Sequence, residues 1–520
     1  MDRYRGDIHG AKNRSGDLMP LEKLPSQSFR LRPHPHLYEI NTWTWLEQLS
    51  AQIGCSIKLA EVPDAEWDSL AKRGLDIIWL MGVWQRSPAS RQITLADPAD
   101  FPVFDRVLPG WTPRDVVGSP YSVARYVPDP KIGTWSDLDC VREKLHARGM
   151  GLFLDFVGNH TALDHPWVSE HPEFYVQGTQ EDYEADASRF YVSETPSGAH
   201  FIALGRDPYF LPWRDTAQLN HFHPAMRAAQ IAELRAIAAH CDGVRCDMAM
   251  LHLRDIFSKI WVELLKGARP LEKEFWAEAH ESVPELILLA EAYWGTEQRL
   301  LDLGFSFSYD KELYDAVRDA NIAGVRARIG TGIPRQSRLA RFLENHDELR
   351  CAEVFGSHRL PAVGTLMGTL PGMRFYHQGE LEGRKNHLPI TLRMAAPEPP
   401  DPRSASLFEK ILRLTNQDIF HRGEWNLLDV KNEGDSTGEN LVAYEWRLEK
   451  LWKVIVVNLS ADTSVGRLNP GGHVSPTLDY VFYDELNEVH YVRGGKELCE
   501  IGLFIRLEGS QAHLFDVSPP

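Results

Sequence analysis

The chain has 520 residues, 43% of them hydrophobic, with a formal net charge of −17; that is ample apolar material for one large domain with smaller attachments. The acidic balance, with no Lys/Arg block, argues against nucleic acid or anionic lipid as partners and favours a neutral substrate. A polar N-terminus from Met1 to Asp17, no apolar run of membrane-spanning length, and six scattered cysteines without CxxC or Cys/His ligand spacing predict a cytoplasmic protein with neither a membrane span, a disulfide framework nor a zinc site.

In chain order, eight apolar runs end in a polar group and lead into helical patterns: Tyr38 to Trp45, Ile77 to Val83, Met150 to Asp155, Asp242 to Asp247, Leu286 to Trp294, Phe305 to Tyr309, Leu339 to Asp347 and Met373 to Gly379. This is how parallel strands buried on both faces read. The helical patterns include Asp137 to Arg148, closed by Gly149, and Pro224 to His240, where Ile231, Leu234 and Ile237 recur near helical spacing behind a first-turn proline. Eight such alternations predict an α/β fold, a closed (β/α)8 TIM barrel. Two excursions interrupt it, one Pro-rich from Trp84 to Tyr126, the other from Thr161 to Asp215 and rich in Trp, Tyr, Phe and His. Beyond a Pro cluster at Pro397 to Pro402 and a helix near Leu407 to Gln417, short β-like runs such as Leu451 to Asn458 and Tyr480 to Tyr483 predict a C-terminal antiparallel β-sandwich. The expected organisation is therefore a first part of the barrel with an N-terminal extension over 1–160, an inserted domain over 161–215 after the third strand, the rest of the barrel over 216–415, and the sandwich over 416–520.

Barrel enzymes place their chemistry at the C-terminal ends of strands, so acids that terminate apolar runs stand out. There are four: Asp155, followed by Phe-Val-Gly-Asn-His; Asp247, two residues after Arg245; Glu291; and Asp347, closing Glu-Asn-His-Asp. A single acid at such a place more often caps a helix or holds a salt bridge, whereas four acids with two Asn-His pairs point to catalysis. Alternation along a strand puts Arg245 and Asp247 on one face, where the guanidinium keeps the carboxylate ionised, as a nucleophile requires. Glu291, between Ala290 and Ala292, has the apolar surroundings that raise a carboxyl pKa and suit a proton donor. Asn345 and Asp347 share a face by the same rule. His346 points the other way unless the strand has ended before it.

In order, these segments resemble the conserved regions of the α-amylase family, glycoside hydrolase family 13: "DFVGNH" at 155–160, "GVRCDMAM" at 243–250, "LLAEAYW" at 288–294 and "FLENHD" at 342–347, with "GSPYSVARY" at 118–126 and "PGMRFYHQGE" at 371–380 as supporting segments. The resemblance implies Asp247 as nucleophile, Glu291 as acid/base and Asp347 as transition-state stabiliser, with Tyr121, Asp155, His160, Arg245 and His346 lining the subsite of the attacked sugar. Departures mark a divergent intracellular subfamily. Met250 and Leu251 stand where many starch-degrading members carry Lys-His, Gly82 replaces a customary Pro, Ser122 follows the stacking tyrosine in place of Asp, and "DTAQLN" at 215–220 is similar to the fifth region of enzymes acting on short oligosaccharides. Asn159 is the one candidate calcium ligand and has no convincing partners, so neither a metal nor another cofactor is expected.

The resemblance thus implies a retaining α-glycosidase that hydrolyses α-glucosidic bonds of an α-glucan or small α-glucoside through a covalent glucosyl-Asp intermediate. The alternative is an α-glucosyltransferase, trehalose- or maltose-active, using the same intermediate. A third reading is a non-catalytic carbohydrate-binding relative, but such a protein is expected to lose at least one of the three acids. The aromatics Trp84, Trp167, Tyr175, Tyr209, Phe210 and Trp213 read either as core or as sugar-stacking groups. No feature of the sequence fixes the oligomeric state.

Overall fold

The computed structural model describes residues 29–196, 198–265, 267–470 and 474–519; the polar N-terminal stretch from Met1 to Asp17 lies outside them. Eight parallel strands close into a barrel: β1 (His36–Asn41), β2 (Ile77–Met81), β3 (Gly151–Phe156), β4 (Gly243–Cys246), β5 (Ile287–Ala290), β6 (Phe307–Tyr309), β7 (Leu339–Arg341) and β8 (Met373–His377). Each pairs with its sequence neighbours, and β1 closes the ring against β8. Helices between them, among them Trp135–His146, Pro224–Ala238, Gly356–Thr369 and Pro402–Thr415, cover the outer face. The helix Trp135–His146 starts where the sequence supplies a capping box, with the Thr134 side chain accepting from the Asp137 amide and the Asp137 carboxylate accepting from the Thr134 amide at 2.6 Å.

Several strands stop earlier than the apolar pattern suggests, three of them by four residues or more; β5, expected to reach Trp294, ends at Ala290. The first was expected to run to Trp45, but the chain turns helical at Thr42 because the Asn41 side chain accepts from the Thr44 amide at 3.3 Å and caps the helix Thr42–Ile53. Trp45, Leu46 and Leu49 are buried on that helix, so its apolar face merges with the strand in the sequence. The seventh was expected to reach Asp347, yet β7 ends at Arg341. The segment 342–347 is therefore loop, free of strand alternation.

The first excursion forms two short antiparallel strands, Trp84–Arg86 and Val123–Pro128, and the helices Pro88–Ala96 and Phe101–Val107. The second builds a five-stranded sheet whose outer chain segments begin at His160 and finish at Gln218. After the barrel, a six-stranded and a three-stranded antiparallel sheet pack Ala443, Val454, Val456, Leu468, Ile505 and Phe515 between them. This sandwich is fixed to the barrel at Thr369, whose carbonyl accepts from the Trp446 indole at 2.8 Å and whose hydroxyl meets the Tyr444 hydroxyl at 2.6 Å. No helix among the described residues is long and apolar enough to cross a membrane, and the six cysteines are free thiols.

Inside the barrel, Phe375 packs against Trp79 at 5.8 Å, Tyr309 at 5.7 Å and Phe342 at 5.6 Å between ring centroids. This aromatic layer closes the floor on which the polar groups sit.

Candidate active site

The backbone ladder brings two of the acids side by side. One residue beyond β4, the Asp247 amide donates to the Phe156 carbonyl at 2.9 Å; one residue beyond β5, the Glu291 amide donates to the Cys246 carbonyl at 3.1 Å. Asp247 and Glu291 thus leave adjacent strands at the same height. Between them lies Arg245, 1% exposed, with Nη1 at 2.5 Å from Asp247 Oδ1 and Nη2 at 2.8 Å from Glu291 Oε2. Its guanidinium is boxed by Tyr121, Trp79 and Tyr309, with ring centroids at 5.1, 5.5 and 5.8 Å. Rigid aromatic walls and two carboxylate partners fix the charge in place. Burial opposes that charge, but Glu291, Tyr121, Tyr309 and Asp247 outweigh it and raise the Arg245 pKa further.

Glu291 is shifted towards its protonated form. Burial is the main cause, Arg245 opposes it, and Asp247 and Asp347 add like-charge repulsion, so its pKa is raised to about 7. Oε2 accepts from the Met248 amide at 2.6 Å and forms an ion pair with Arg245. Oε1 accepts from the Tyr293 hydroxyl at 2.7 Å. Met248 presents its amide from a left-handed conformation (φ 42), a local cost that active sites commonly carry. Asp347 behaves oppositely. Burial works to raise its pKa, but His346, 3.0 Å away through Nε2, and Arg245, 4.0 Å away, hold it down to about 2.

The loop after β7 carries Asn345, His346 and Asp347. Asn345 Oδ1 accepts from the amides of Asp347 and Glu348, both at 2.9 Å, so Asn345 shapes the turn and does not share a face with Asp347 as strand alternation suggests. Because the strand has already ended, His346 faces inward, stacked on Tyr121 at 5.1 Å. Glu344 anchors the loop from behind, accepting from Arg350 Nη1 at 2.5 Å, the Cys351 amide at 2.7 Å and His377 Nδ1 at 3.0 Å.

A cavity of about 700 Å³ opens over these groups, and Tyr121, His160, Asp247, Glu291 and Asp347 line it. Arg245 lies beneath its surface. Asp155 is turned away from it: Oδ1 accepts from the Trp79 indole at 3.1 Å and Oδ2 from the Gly82 amide at 2.6 Å. Gly82 has φ +77, a conformation closed to proline, which accounts for the glycine here. His160 donates through Nε2 to the Tyr121 carbonyl at 3.2 Å, and burial lowers its pKa. The Tyr121 hydroxyl has no protein partner. Of the aromatics with two readings, Trp84 and Tyr175 are buried, whereas Phe210 and Trp213 line the cavity and Tyr209 stands beside its mouth on Trp294, ring centroids 5.3 Å apart. Residues that sequence reasoning passed over are Glu39, Trp79, Met248, Tyr293, Tyr309 and Glu344. A charged residue inside an apolar strand, as in Leu-Tyr-Glu-Ile, is the signal that marks Glu39.

A closed barrel with paired carboxylates at its C-terminal rim defines a class, and sequence comparison supplies the family. The chain matches the alpha amylase catalytic domain over residues 68–399 and belongs to the alpha-amylase family. It is 24% identical over 354 residues to alpha-amylase MalA of Haloarcula japonica, covering 64% of this chain and 47% of that protein. It is 27% identical over 290 residues to alpha-amylase 3 of Dictyoglomus thermophilum, covering 49% and 52%. Against trehalose synthase/amylase TreS of Mycobacterium tuberculosis it is 26% identical over 255 residues, covering 44% and 42%. The chain therefore spans about half the length of these relatives. In fold it is similar to the noncanonic maltogenic alpha-amylase AmyB from Thermotoga neapolitana (TM-score 0.64, 18% identity, 93% of this chain and 98% of the other). An alpha-amylase from Lactobacillus plantarum is comparably similar (TM-score 0.65, 19% identity, 93% and 98%).

Proposed function

We propose that the protein is a retaining α-glycosidase that hydrolyses α-glucosidic bonds of oligosaccharides or small α-glucosides. The carrying observation is that one buried guanidinium grips both Asp247 and Glu291, while burial raises the Glu291 pKa to about 7. A carboxyl that holds its proton near neutrality beside a second carboxyl group is what acid-assisted displacement needs. Asp247 attacks the anomeric carbon and forms the glucosyl ester as the bond to the leaving oxygen breaks, and Glu291 gives that oxygen its proton. In the second half Glu291, now ionised, takes a proton from water, the water oxygen bonds to the anomeric carbon, and Asp247 leaves. Asp347, ionised and open to the cavity, accepts from sugar hydroxyls and balances the developing positive charge. The unpartnered Tyr121 hydroxyl and His160 complete the sugar pocket in this reading.

Transfer to a second sugar is favoured by one feature. Tyr209 is 70% and Phe210 75% exposed at the mouth, next to Trp294, and exposed aromatic faces are suited to holding an acceptor against the glucosyl ester. Incubation with maltooligosaccharides, sucrose, trehalose and glucose 1-phosphate, with and without acceptors, separates the two. Net release of glucose or short oligosaccharides marks hydrolysis, rearranged or acceptor-dependent products mark transfer, and no turnover of any donor counts against both.

We infer further that calcium has no part in the reaction. Asn159 Oδ1 accepts from Gln218 Nε2 at 3.1 Å and its Nδ2 donates to Gln218 Oε1 at 3.3 Å, so its amide is engaged and does not fit a cation ligand set. Exhaustive chelation is expected to leave the turnover rate within about twofold, since no step above draws on a metal charge. A large loss restored by calcium would overturn this inference. The six free thiols support a cytoplasmic location.

A further inference from the structure

The mechanism leaves the buried acid beneath His346 unused. Glu39, from the middle of β1, is fully buried, and its Oε1 lies 2.5 Å from His346 Nδ1. The His346 ring is held on its other sides by the Tyr121 face at 5.1 Å and the edge of Trp79 at 5.7 Å, and its carbonyl accepts from His387 Nε2 at 2.8 Å. Nε2, at the far end of the ring, is 3.0 Å from Asp347 Oδ2 and has no aligned hydrogen-bond partner. Glu39, His346 and Asp347 therefore form a line from the barrel floor to the cavity, with an imidazole between two carboxylates.

Resting on the glycosidase reading, we propose that Glu39 is a positioning residue: from the floor of the barrel it fixes His346 through Nδ1, keeping the ring doubly protonated so that Nε2–H faces the sugar and Asp347. The charge pattern around the ring supports this. Burial alone pushes an imidazole towards neutrality, yet Asp347 and Glu39 outweigh it and raise the His346 pKa well above its ordinary value. The other groups near the ring divide in sign. Asp155 on β3 adds negative charge when ionised, Arg245 on β4 adds positive charge, His387 is held towards neutrality by burial, and Tyr121 and the Glu39 register partner His377 carry no carboxylate. Removing the Glu39 charge leaves Asp347, open to the cavity, as the only carboxylate among the described residues in ion-pair contact with the imidazolium.

Glu39→Gln keeps a hydrogen-bond acceptor at Nδ1 and deletes the charge. In 15N-histidine NMR, with the His346 signals identified by their loss in His346→Gln, the wild-type ring is expected to stay doubly protonated from about pH 5 to pH 9, while in the Gln variant it titrates inside that window. In the same preparations, kcat/KM of Glu39→Gln is expected to lie within about threefold of wild type near pH 5 and to fall by roughly 30-fold or more near pH 8, because a neutral ring has lost one of its two donors. A purely structural role would lower activity equally at every pH. In the His346→Gln background, Glu39→Gln is expected to add less than about twofold, the non-additivity of residues that act through one another. An unchanged His346 titration, a pH-independent loss, or full additivity would each overturn the proposal. If the wild type turns over no donor, the glycosidase reading fails, and the histidine titration alone still decides whether Glu39 holds the ring.

Discussion

Asp247→Asn is expected to lower turnover by roughly 10⁴-fold or more, the scale seen when a member of a covalent catalytic set is removed. The amide has the size of the carboxylate and can still accept from Arg245, but it does not form the glucosyl ester. Folding should survive. Arg245 keeps Glu291 at 2.8 Å and gains no unpartnered neighbour, because Asp347 stands 4.0 Å away on its other side. The buried guanidinium does lose one of its two close partners, and breaking a buried pair is costly, so a lower melting temperature with an intact circular dichroism spectrum is the expected accompaniment. Steady-state rates on the best donor, together with melting curves at matched pH, check both statements. Residual activity within about 100-fold of wild type in a folded variant would remove Asp247 from the role of nucleophile.

How far the site is legible in the sequence depends on which physical signal each residue leaves. Barrel strands buried on both faces produce continuous apolar runs, and all eight are visible on that basis. Their ends are not, because an apolar run does not register where the ladder stops. The Trp-rich helix Thr42–Ile53 follows β1 without a polar break, and only the Asn41 cap, accepting from the Thr44 amide, separates them. The same blindness misplaces His346: counted as strand it faces outward, whereas in the loop after Arg341 it reaches the cavity. Arg245, Asp247 and Glu291 are legible because adjacent strands of a parallel barrel bring their terminal residues to one level. Tyr293 and the Met248 amide are not, since a backbone N–H in a left-handed turn and a hydroxyl folded back two residues along the chain leave no periodic trace. Asp155 shows that a strand-end acid can have the right place and spend both oxygens on its neighbours, here Trp79 and Gly82.

Glu291→Gln separates the two halves of the reaction. Without a proton donor, cleavage of donors with ordinary sugar leaving groups is expected to fall by about 10²- to 10⁴-fold, the range that general acid catalysis supplies. α-Glucosyl fluoride, whose leaving group needs little protonation, should still form the glucosyl ester on Asp247, and the ester should then persist because the base that activates water is gone. Intact-mass measurement of the variant after this donor is expected to show one added glucosyl group, absent when Asp247 is also replaced. The wild type should show kcat/KM falling as pH rises through about 7, where Glu291 loses its proton, and the Gln variant should lose that limb with the fluoride. Stability falls over the same pH range. A carboxyl whose folded pKa lies above its unfolded value stabilises the fold fully below the unfolded pKa and loses that contribution as pH rises through the folded one. The wild type is therefore expected to lose melting temperature relative to the Gln variant between about pH 5 and pH 8, so that the gap shifts in favour of the inactive form. Parallel melting curves across that range, with no such shift, would mean that Glu291 is not held protonated in the folded protein, and the acid would have to be sought elsewhere in the cavity.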